Sequence, residues 1–467
     1  MSLTPTPQSS QIATNRPKAQ TWQVGTLTYT SGGLITLFLL LMMGDVAWSM
    51  RDRSVGPMAQ WYLSHLNASN LLFGLLMTSF PAAIGLILGP ILSVKSDRHR
   101  GKWGRRIPYL LLTTPFAALG MIGLALTPFI SHWVHGHFPQ LSATTVSLIC
   151  FGLFWAAFEF ATIASQAVFG GLINDVVPAT LMGRFYGLFR AVSLIIGIIF
   201  NFWIFGKIPS HFTLILLTVG AFYSIAFMWV CLKVKEGQYP PPPAPLSRPD
   251  RTGIVEGFLG EVRRYFRECF TNYYYVSVFI MLVVASLTFI PVNTFAIPFS
   301  NSLGVSEDMY GKSLALTFSI SLVIAYFLGW ACDVFHPLRM TILSLAAYFL
   351  VTIYGGIWAT TPHTFLIAWV LHGVISGCFF TCSASLGQRL FPHSKFAQFS
   401  SAAGIIASVS TMVIGPAMGV AIDASGKIYR YTFVLGGFLS LVSLISAWVV
   451  YKQFVRLGGP KGYVAPE

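Results

Sequence analysis

The sequence predicts an all-α membrane protein of twelve transmembrane helices in two pseudo-symmetric six-helix bundles. Three observations lead there: a composition too apolar for water, apolar runs of spanning length, and a basic turn wedged between two of them. Of the 467 residues, 55% are hydrophobic and 9% charged, against roughly 25% charged in a soluble protein. Twelve stretches are long enough for ~30 Å of hydrocarbon: 32–64, 70–94, 107–127, 142–173, 184–206, 211–234, 273–299, 309–332, 340–359, 363–387, 398–422 and 430–454. The turn is Ser96-Asp97-Arg98-His99-Arg100-Gly101-Lys102-Trp103-Gly104-Arg105-Arg106. Its charges cannot sit in hydrocarbon and it is too short for a domain, so it joins two spans on one face of a bilayer.

The elements follow in order. Residues 1–25, polar and rich in Pro, Thr and Ser, read as a disordered cytoplasmic tail, and no h-region with a cleavage site precedes span 1. Residues 26–234 form the first bundle, 235–272 a cytoplasmic linker, 273–455 the second bundle and 456–467 a cytoplasmic tail. The linker opens on the stiff Tyr239-Pro240-Pro241-Pro242-Pro243. It continues through Val255–Phe270, where Phe258, Leu259, Val262 and Phe266 alternate with Glu261, Arg263, Arg264 and Arg267, an amphipathic helix for the membrane surface. The net charge of +14 is topological rather than a nucleic-acid footprint. With the N-terminus inside, inner tails and loops hold 22 of the 29 Lys and Arg, and outer loops hold four (Lys207, Lys312, Lys427, Arg430). That positive-inside bias places both termini in the cytoplasm and the protein in a cell (inner) membrane. The six cysteines lie within or beside spans, apart from Cys269 in the linker, and imply no disulfide framework.

The halves echo each other. The loop after span 2 carries Gly89, Asp97, Arg98, Gly104, Arg105 and Arg106, and the loop after span 8 carries Gly329, Asp333 and Arg339. The run Gly89…Ser96-Asp97-Arg98…Gly104-Arg105-Arg106-Ile107-Pro108 resembles the signature loop of the major facilitator superfamily. Its extended form looks most like the sucrose:proton symporters and the glycoside–pentoside–hexuronide:cation symporters. Asn174-Asp175-Val176-Val177-Pro178, before Arg184, is similar to the loop 4–5 element of that branch. Span 2 (Asn70 to Val94) holds no carboxylate, a departure from the melibiose-type relatives, which place cation-binding carboxylates there. The resemblance implies the major facilitator fold and alternating access, with Asp97, Arg98, Gly104, Arg105, Arg106, Asp333 and Arg339 holding the inner face closed between the halves.

Helix ends aside, six charges lie well inside spans: Asp45, Arg51, Asp52 and Arg53 on span 1, Glu159 on span 4 and Arg190 on span 5. An unpaired central charge costs ~2.5–3.5 kcal/mol on insertion scales, so pairing or water access must offset it. At 100° per residue, Asp45, Ser49, Asp52 and Gly56 share one face within about 60°, with Arg53 at its edge, and Trp155, Glu159, Thr162, Gln166 and Gly170 share another. Pairs Arg51–Glu159 or Arg53–Glu159 lie at matching depths. Locking helices together is one reading of these charges. The other is a proton site built on Glu159 and Asp52, with Asp45, Arg51 and Arg53. The second half has no mid-membrane charge. It offers Asn293 with Ser286 on span 7, and His372, Ser376, Phe379 and Ser383 on one face of span 10. Such groups suit a neutral polyhydroxylated ligand, though small polar residues also pack helices in membranes. The substrate-binding set is therefore Ser49, Trp155, Gln166, Asn293, His372 and Phe379.

Other signals are weak. His132, His135 and His137 crowd one loop without acid or Cys partners. Gly311-Lys312-Ser313 lacks the first glycine of a phosphate loop, and Asn67-Ala68-Ser69 is a chance-level sequon. No nucleophile–base–acid set appears, so neither an enzyme, a metal nor a cofactor is expected. The expectation is a monomeric proton-coupled symporter of a neutral sugar or glycoside, its partners being that small molecule, the proton and the bilayer. Two alternatives stay open: an efflux antiporter of amphipathic compounds, and a non-transporting receptor or assembly factor on the same fold.

Overall fold

The computed structural model describes residues 21–241, 263, 267–392 and 395–466. Among these residues, eleven helical stretches are long and apolar enough to cross a membrane. One of them, Ala179–Lys233, runs 55 residues, about 80 Å if straight, more than twice the hydrocarbon thickness. It turns back through π-helical Phe200–Ile204, 3-10 Phe205–Lys207 and a non-helical His211 (φ −131°, ψ 22°). Ten single spans and this doubled one make twelve. They are α1 Ser31–His65, α2 Asn70–Arg98, α3 Ile107–His137, α4 Ala143–Val176, α5 Met182–Ile199 and α6 Ile208–Lys233. The second half supplies α7 Tyr273–Ser302, α8 Glu307–Phe335, α9 Pro337–Trp358, α10 Pro362–Ser383, α11 Phe396–Ala424 and α12 Tyr431–Arg456.

Packing repeats between the halves. In the first bundle α1 lies on α5 and α6, α3 on α4 and α6, and α2 on α4. In the second, α7 lies on α11 and α12, α9 on α10 and α12, and α8 on α10. Adding six to each label converts one set into the other. The contacts between bundles, α2 with α11 and α8 with α5, also interchange under that operation. The repeat noticed in two loops of the sequence is a property of the whole chain.

The bundles meet at the pole far from the α2–α3 loop. There Cβ atoms are absent where backbones approach: a Cβ on Gly74 of α2 would stand 2.6 Å from the Gly415 carbonyl of α11. Small residues let apolar helices come this close in hydrocarbon. Ser79 Oγ donates to Met412 O at 2.5 Å and Arg53 lies over the Phe318 ring. At the basic pole, by contrast, no hydrogen bond or ion pair joins the bundles among the described residues. The cleft between the halves thus closes at the far pole and opens at the basic one.

Three departures from the expected layout have local causes. Within the segment expected to be a disordered tail, residues 21–25 enter a hairpin, β1 Thr21–Val24 with β2 Leu27–Thr30. Its alternating pattern turns Trp22, Val24, Leu27 and Tyr29 to the less exposed face, and Thr26 Oγ1 accepts from Gln238 N at 2.7 Å. The C-terminal segment folds back, Tyr463 donating to Leu390 O at 2.7 Å and Tyr275 to Pro466 O at 2.5 Å. Finally, α7 is broken at Thr288–Phe289, between helices Tyr273–Leu287 and Ile290–Ser302, with Pro291 opening the second piece. Most of the expected amphipathic linker helix, Val255–Phe270, lies outside the described residues.

Candidate functional site

Three residues of the sequence-derived proton set, Arg51, Asp52 and Glu159, converge between α1 and α4 on one side of the cleft. Arg51, Asp52, Gly56, Trp155, Phe158, Glu159, Thr162, Ile163 and Gln166 line a chamber of about 130 Å³ between α1 and α4. Arg51 is buried. Its guanidinium sits 4.0 Å from the Trp48 ring centroid and 5.6 Å from that of Tyr223, with Nη2 3.9 Å from Asp52 Oδ1. Aromatic faces stabilise such a desolvated cation by up to ~2 kcal/mol. Its Nε and Nη1 have no acceptor among the described residues. Asp52 opens to the cleft, its side chain 61% exposed. Glu159 accepts no hydrogen bond on its carboxylate from the described residues, and neither expected Arg–Glu159 ion pair forms.

Arg53 goes elsewhere. Its Nε and Nη2 donate to Ser193 Oγ of α5 at 3.2 and 3.0 Å, because its position on the helix aims it across α1 rather than toward α4. Asp45 is buried, its Oδ2 has no partner among the described residues, and it does not line the chamber with Asp52. Ser49, expected to meet a ligand, is 3% exposed within the bundle. Arg190 is exposed midway along α5.

Trp155 also differs from expectation. It is 3% exposed, stacks along Phe151 and Phe158, and its Nε1 donates to Leu76 O at 2.9 Å. Leu76 sits in a π-helical turn of α2, Leu75–Ser79. Such a turn shifts the hydrogen-bond register and frees a carbonyl. The indole N–H satisfies it, so the tryptophan ties α4 to α2. Gln166, about three turns further along, is exposed at the chamber mouth.

The second bundle answers with a neutral network. His372 of α10 is fully buried, its Nε2 3.0 Å from Asn293 Oδ1 and its Nδ1 2.8 Å from the Tyr348 hydroxyl. A carboxamide oxygen only accepts, so Nε2 donates, and a neutral ring then accepts the Tyr348 proton at Nδ1. Trp369 stacks on the imidazole at 5.2 Å and 11°. Phe379, expected to face the ligand, is 2% exposed against Phe289. Asn293, exposed beyond the α7 break, carries the network to the cleft.

The basic loop is clamped within the first bundle. Arg105 donates to both Asp175 oxygens, at 2.8 and 2.5 Å, and Arg106 to Asp175, Ser96 and Asp97. Glu236, after α6, accepts from the backbone N of Arg105, Arg106 and Ile107 at 2.9, 2.8 and 2.7 Å, capping α3. Gly104 is required here, at φ +101° and with a Cβ position 2.5 Å from Glu236. Asp175 raises the Arg105 pKa further above its ordinary value, and burial with neighbouring Glu236 raises that of Tyr239. The expected contacts between halves are not made here: Arg98 and Asp333 are exposed, and Arg339 lies over Tyr451 of its own bundle. Sequence reasoning missed Glu236. It quoted Asp175 only as part of a motif.

It also missed the latch at the far pole. Asp423 at the end of α11 accepts from Asn70 N, Asn70 Nδ2 and Leu71 N at 3.2, 2.7 and 3.2 Å. Tyr429 donates to Asn70 Oδ1 at 3.1 Å, Trp61 Nε1 to Glu307 at 3.0 Å and Asn301 to Ser64 at 3.3 Å. An acid at the end of one helix, opposite the N-terminus of another, is the only sequence signal, and it needs the pairing of α2 with α11 to be read.

Comparison with known proteins places this architecture. The family model described as Major Facilitator Superfamily matches residues 277–462, the second bundle. No curated protein matches by sequence. Among solved structures, a D-xylose–proton symporter superposes with a TM-score of 0.61 at 11% identity, over 89% of this chain and 97% of that one. A bacterial homologue of the human lysosomal transporter Spinster, inward-facing and occupied, gives 0.62 at 14% identity, over 94% and 99%. A POT family transporter in complex with 5-aminolevulinic acid gives 0.63 at 14% identity, over 92% and 97%. The chain is an integral membrane protein with the major facilitator fold.

Proposed function

We propose that this chain is a secondary active transporter working by alternating access, coupling proton entry to symport of a neutral sugar or glycoside. The chamber carries the reading. Arg51, Asp52 and Glu159 sum to −1 when Glu159 is ionised and to zero when it holds a proton, so the chamber is short of one cation. At about 130 Å³ it suits a proton and a few waters rather than a drug-sized ligand, whose pockets span ~300–1,000 Å³. The substrate then belongs in the cleft itself, between Gln166 on α4 and Asn293 on α7. Amide groups there, backed by the neutral His372–Tyr348 network, match hydroxyl-bearing uncharged molecules better than ionised ones. A similar fold serves a D-xylose–proton symporter, which supports this substrate class, although other transporters of similar fold take other solutes. The positive-inside bias supports a cell-membrane protein with both termini in the cytoplasm, so the open basic pole is the inward one. The carrier acts as a monomer.

The test is solute-driven proton movement in proteoliposomes, which gives opposite signs for symport and antiport. A sugar that alkalinises the side of addition identifies a symporter. Glu159→Gln should abolish accumulation against a gradient while leaving exchange of the same sugar. Undiminished accumulation by that variant refutes the coupling site, and acidification on addition of solute refutes symport.

A further inference from the structure

A second cavity, larger than the chamber and unrelated to the cleft, lies at the basic pole where α3 begins and α6 ends. It measures about 810 Å³ and is bounded by Arg100, Lys102, Trp103, Lys235 and Glu236 above a floor that includes Leu111 and Leu232. We propose that it binds the headgroup of an anionic phospholipid, with an acyl chain lying along α3 and α6.

Charge, shape and position converge on that occupant. Glu236 does not oppose an anion freely, since its carboxylate is taken by three backbone N–H groups and the Tyr239 hydroxyl. Arg100 is fixed in place, with Nε on Pro240 O and Nη1 on the carbonyls of Asp97 and His99. Lys102 and Lys235 are exposed and make no hydrogen bond or ion pair with the described residues. Three cations thus face the cavity with one committed carboxylate. Below them the lining turns apolar, with Leu232 61% exposed where α6 leaves the bundle. Trp103, 58% exposed, stands at the rim at the height where amphipathic aromatic rings anchor to headgroups. A soluble phosphate would use the lysines and leave the apolar floor and Trp103 without a partner; a phospholipid uses all of them. The loop involved is the one clamped to Asp175 and Glu236, so lipid occupancy would bear on the same turn.

The experiment is a titration of the purified full-length protein by native mass spectrometry, with dioleoyl phosphatidylglycerol as probe and dioleoyl phosphatidylcholine as reference. Surface cations contribute about 1 kcal/mol each toward anionic lipid, so losing two should weaken the tightest site roughly 20- to 30-fold. Lys102→Gln with Lys235→Gln should show that loss, and Lys452→Gln, a basic-pole cation on the other bundle, should change affinity less than twofold. Trp103→Ala provides a variant that leaves every charge in place and should weaken binding several-fold. Equal affinity for the two lipids, or an unchanged double variant with normal elution on size exclusion, overturns the proposal. Displacement of the lipid by an equimolar amount of sn-glycerol 3-phosphate also overturns it, by assigning the site to a soluble phosphate. Because no readout involves transport, failure here leaves the assignment of Glu159 untouched, and the reverse holds.

Discussion

Replacing Asp423 by asparagine should open the far pole. In the structure its two oxygens accept three N–H groups from Asn70 and Leu71, at the N-terminus of α2. Those bonds cross between the bundles, so they exist only while the far pole is closed, and any loss falls wholly on that state. A hydrogen bond to a charged group contributes ~1.5–3 kcal/mol when shielded, and a negative charge at a helix N-terminus adds ~0.3–1 kcal/mol. Asp423 itself is solvent-exposed, so the lower ends apply. The amide keeps one acceptor and loses the other together with the charge, a net weakening of about 1.5–2 kcal/mol, or roughly 10- to 30-fold in the equilibrium between states. Spin labels at Asn67 and Lys427, on a cysteine-free background, report the separation across that pole by electron–electron distance measurement. The ratio of long to short distances should rise by that factor in the variant. A shift of less than twofold in correctly folded protein would show that the carboxylate decorates the interface without holding it.

Trp155→Ala should lower the thermal stability of ligand-free protein by about 3–5 kcal/mol in unfolding terms, as for a buried aromatic. Trp155→Phe should lose less while still orphaning the Leu76 carbonyl; a melting temperature unchanged in both would return Trp155 to the ligand face. His372→Phe and Tyr348→Phe should each destabilise by ~1–3 kcal/mol, since each leaves a buried polar atom unpaired, whereas the double variant should recover most of one loss. Strict additivity in that cycle would deny the bond. Tyr239, whose pKa lies above the ordinary 10.0, keeps its proton in the folded chain where the unfolded chain has released it. Stability should therefore fall as pH rises past 10. Melting curves of wild type against Tyr239→Phe over pH 9–11 should show a steeper loss in the wild type, and parallel curves would refute the burial of this hydroxyl.

What the sequence made legible follows the range of the interactions involved. Spans, the basic turn and the six-plus-six division depend on local composition, and the structure carries them with small shifts in boundary. The α5–α6 turn, which the sequence already separates into two spans, carries Gly206 and Pro209, but its π and 3-10 geometry has no residue signature of its own. Helical-wheel reasoning put Asp52 on one face of α1 and Glu159 with Gln166 on one face of α4, and all three line the chamber; Arg51, outside that α1 face, lines it too. The same reasoning failed at Ser49, Asp45, Trp155 and Phe379, because a wheel gives the angle of a side chain and not which neighbour covers it. The α2 π-turn, which takes the Trp155 N–H, has no signature in Leu75–Ser79. Glu236 and Asp423 were invisible for a different reason: each acts on backbone N–H groups of a helix distant in sequence, and a lone acid after an apolar run reads as a solvated end.

The two bundles share one packing scheme and divide the chemistry. The first carries every mid-span charge, and three of them, Arg51, Asp52 and Glu159, meet in one chamber. The second carries a histidine whose ring nitrogens are both satisfied by neutral partners, so it holds its geometry without a change of charge. A rocking motion about the far-pole contacts would alter water access to Glu159 while leaving the α9–α10 network intact, since that network lies within one rigid unit. Coupling under this arrangement does not require the substrate to touch the proton site. Under the proposed function, with Gln166 in the chamber beside Glu159 and Asn293 exposed on α7, a ligand bridging the two amides would favour the closed cleft only when the chamber is neutral. That linkage needs a satisfied, unchanging wall on one side and a titrating chamber on the other, which is the asymmetry the chain builds on its repeated scaffold.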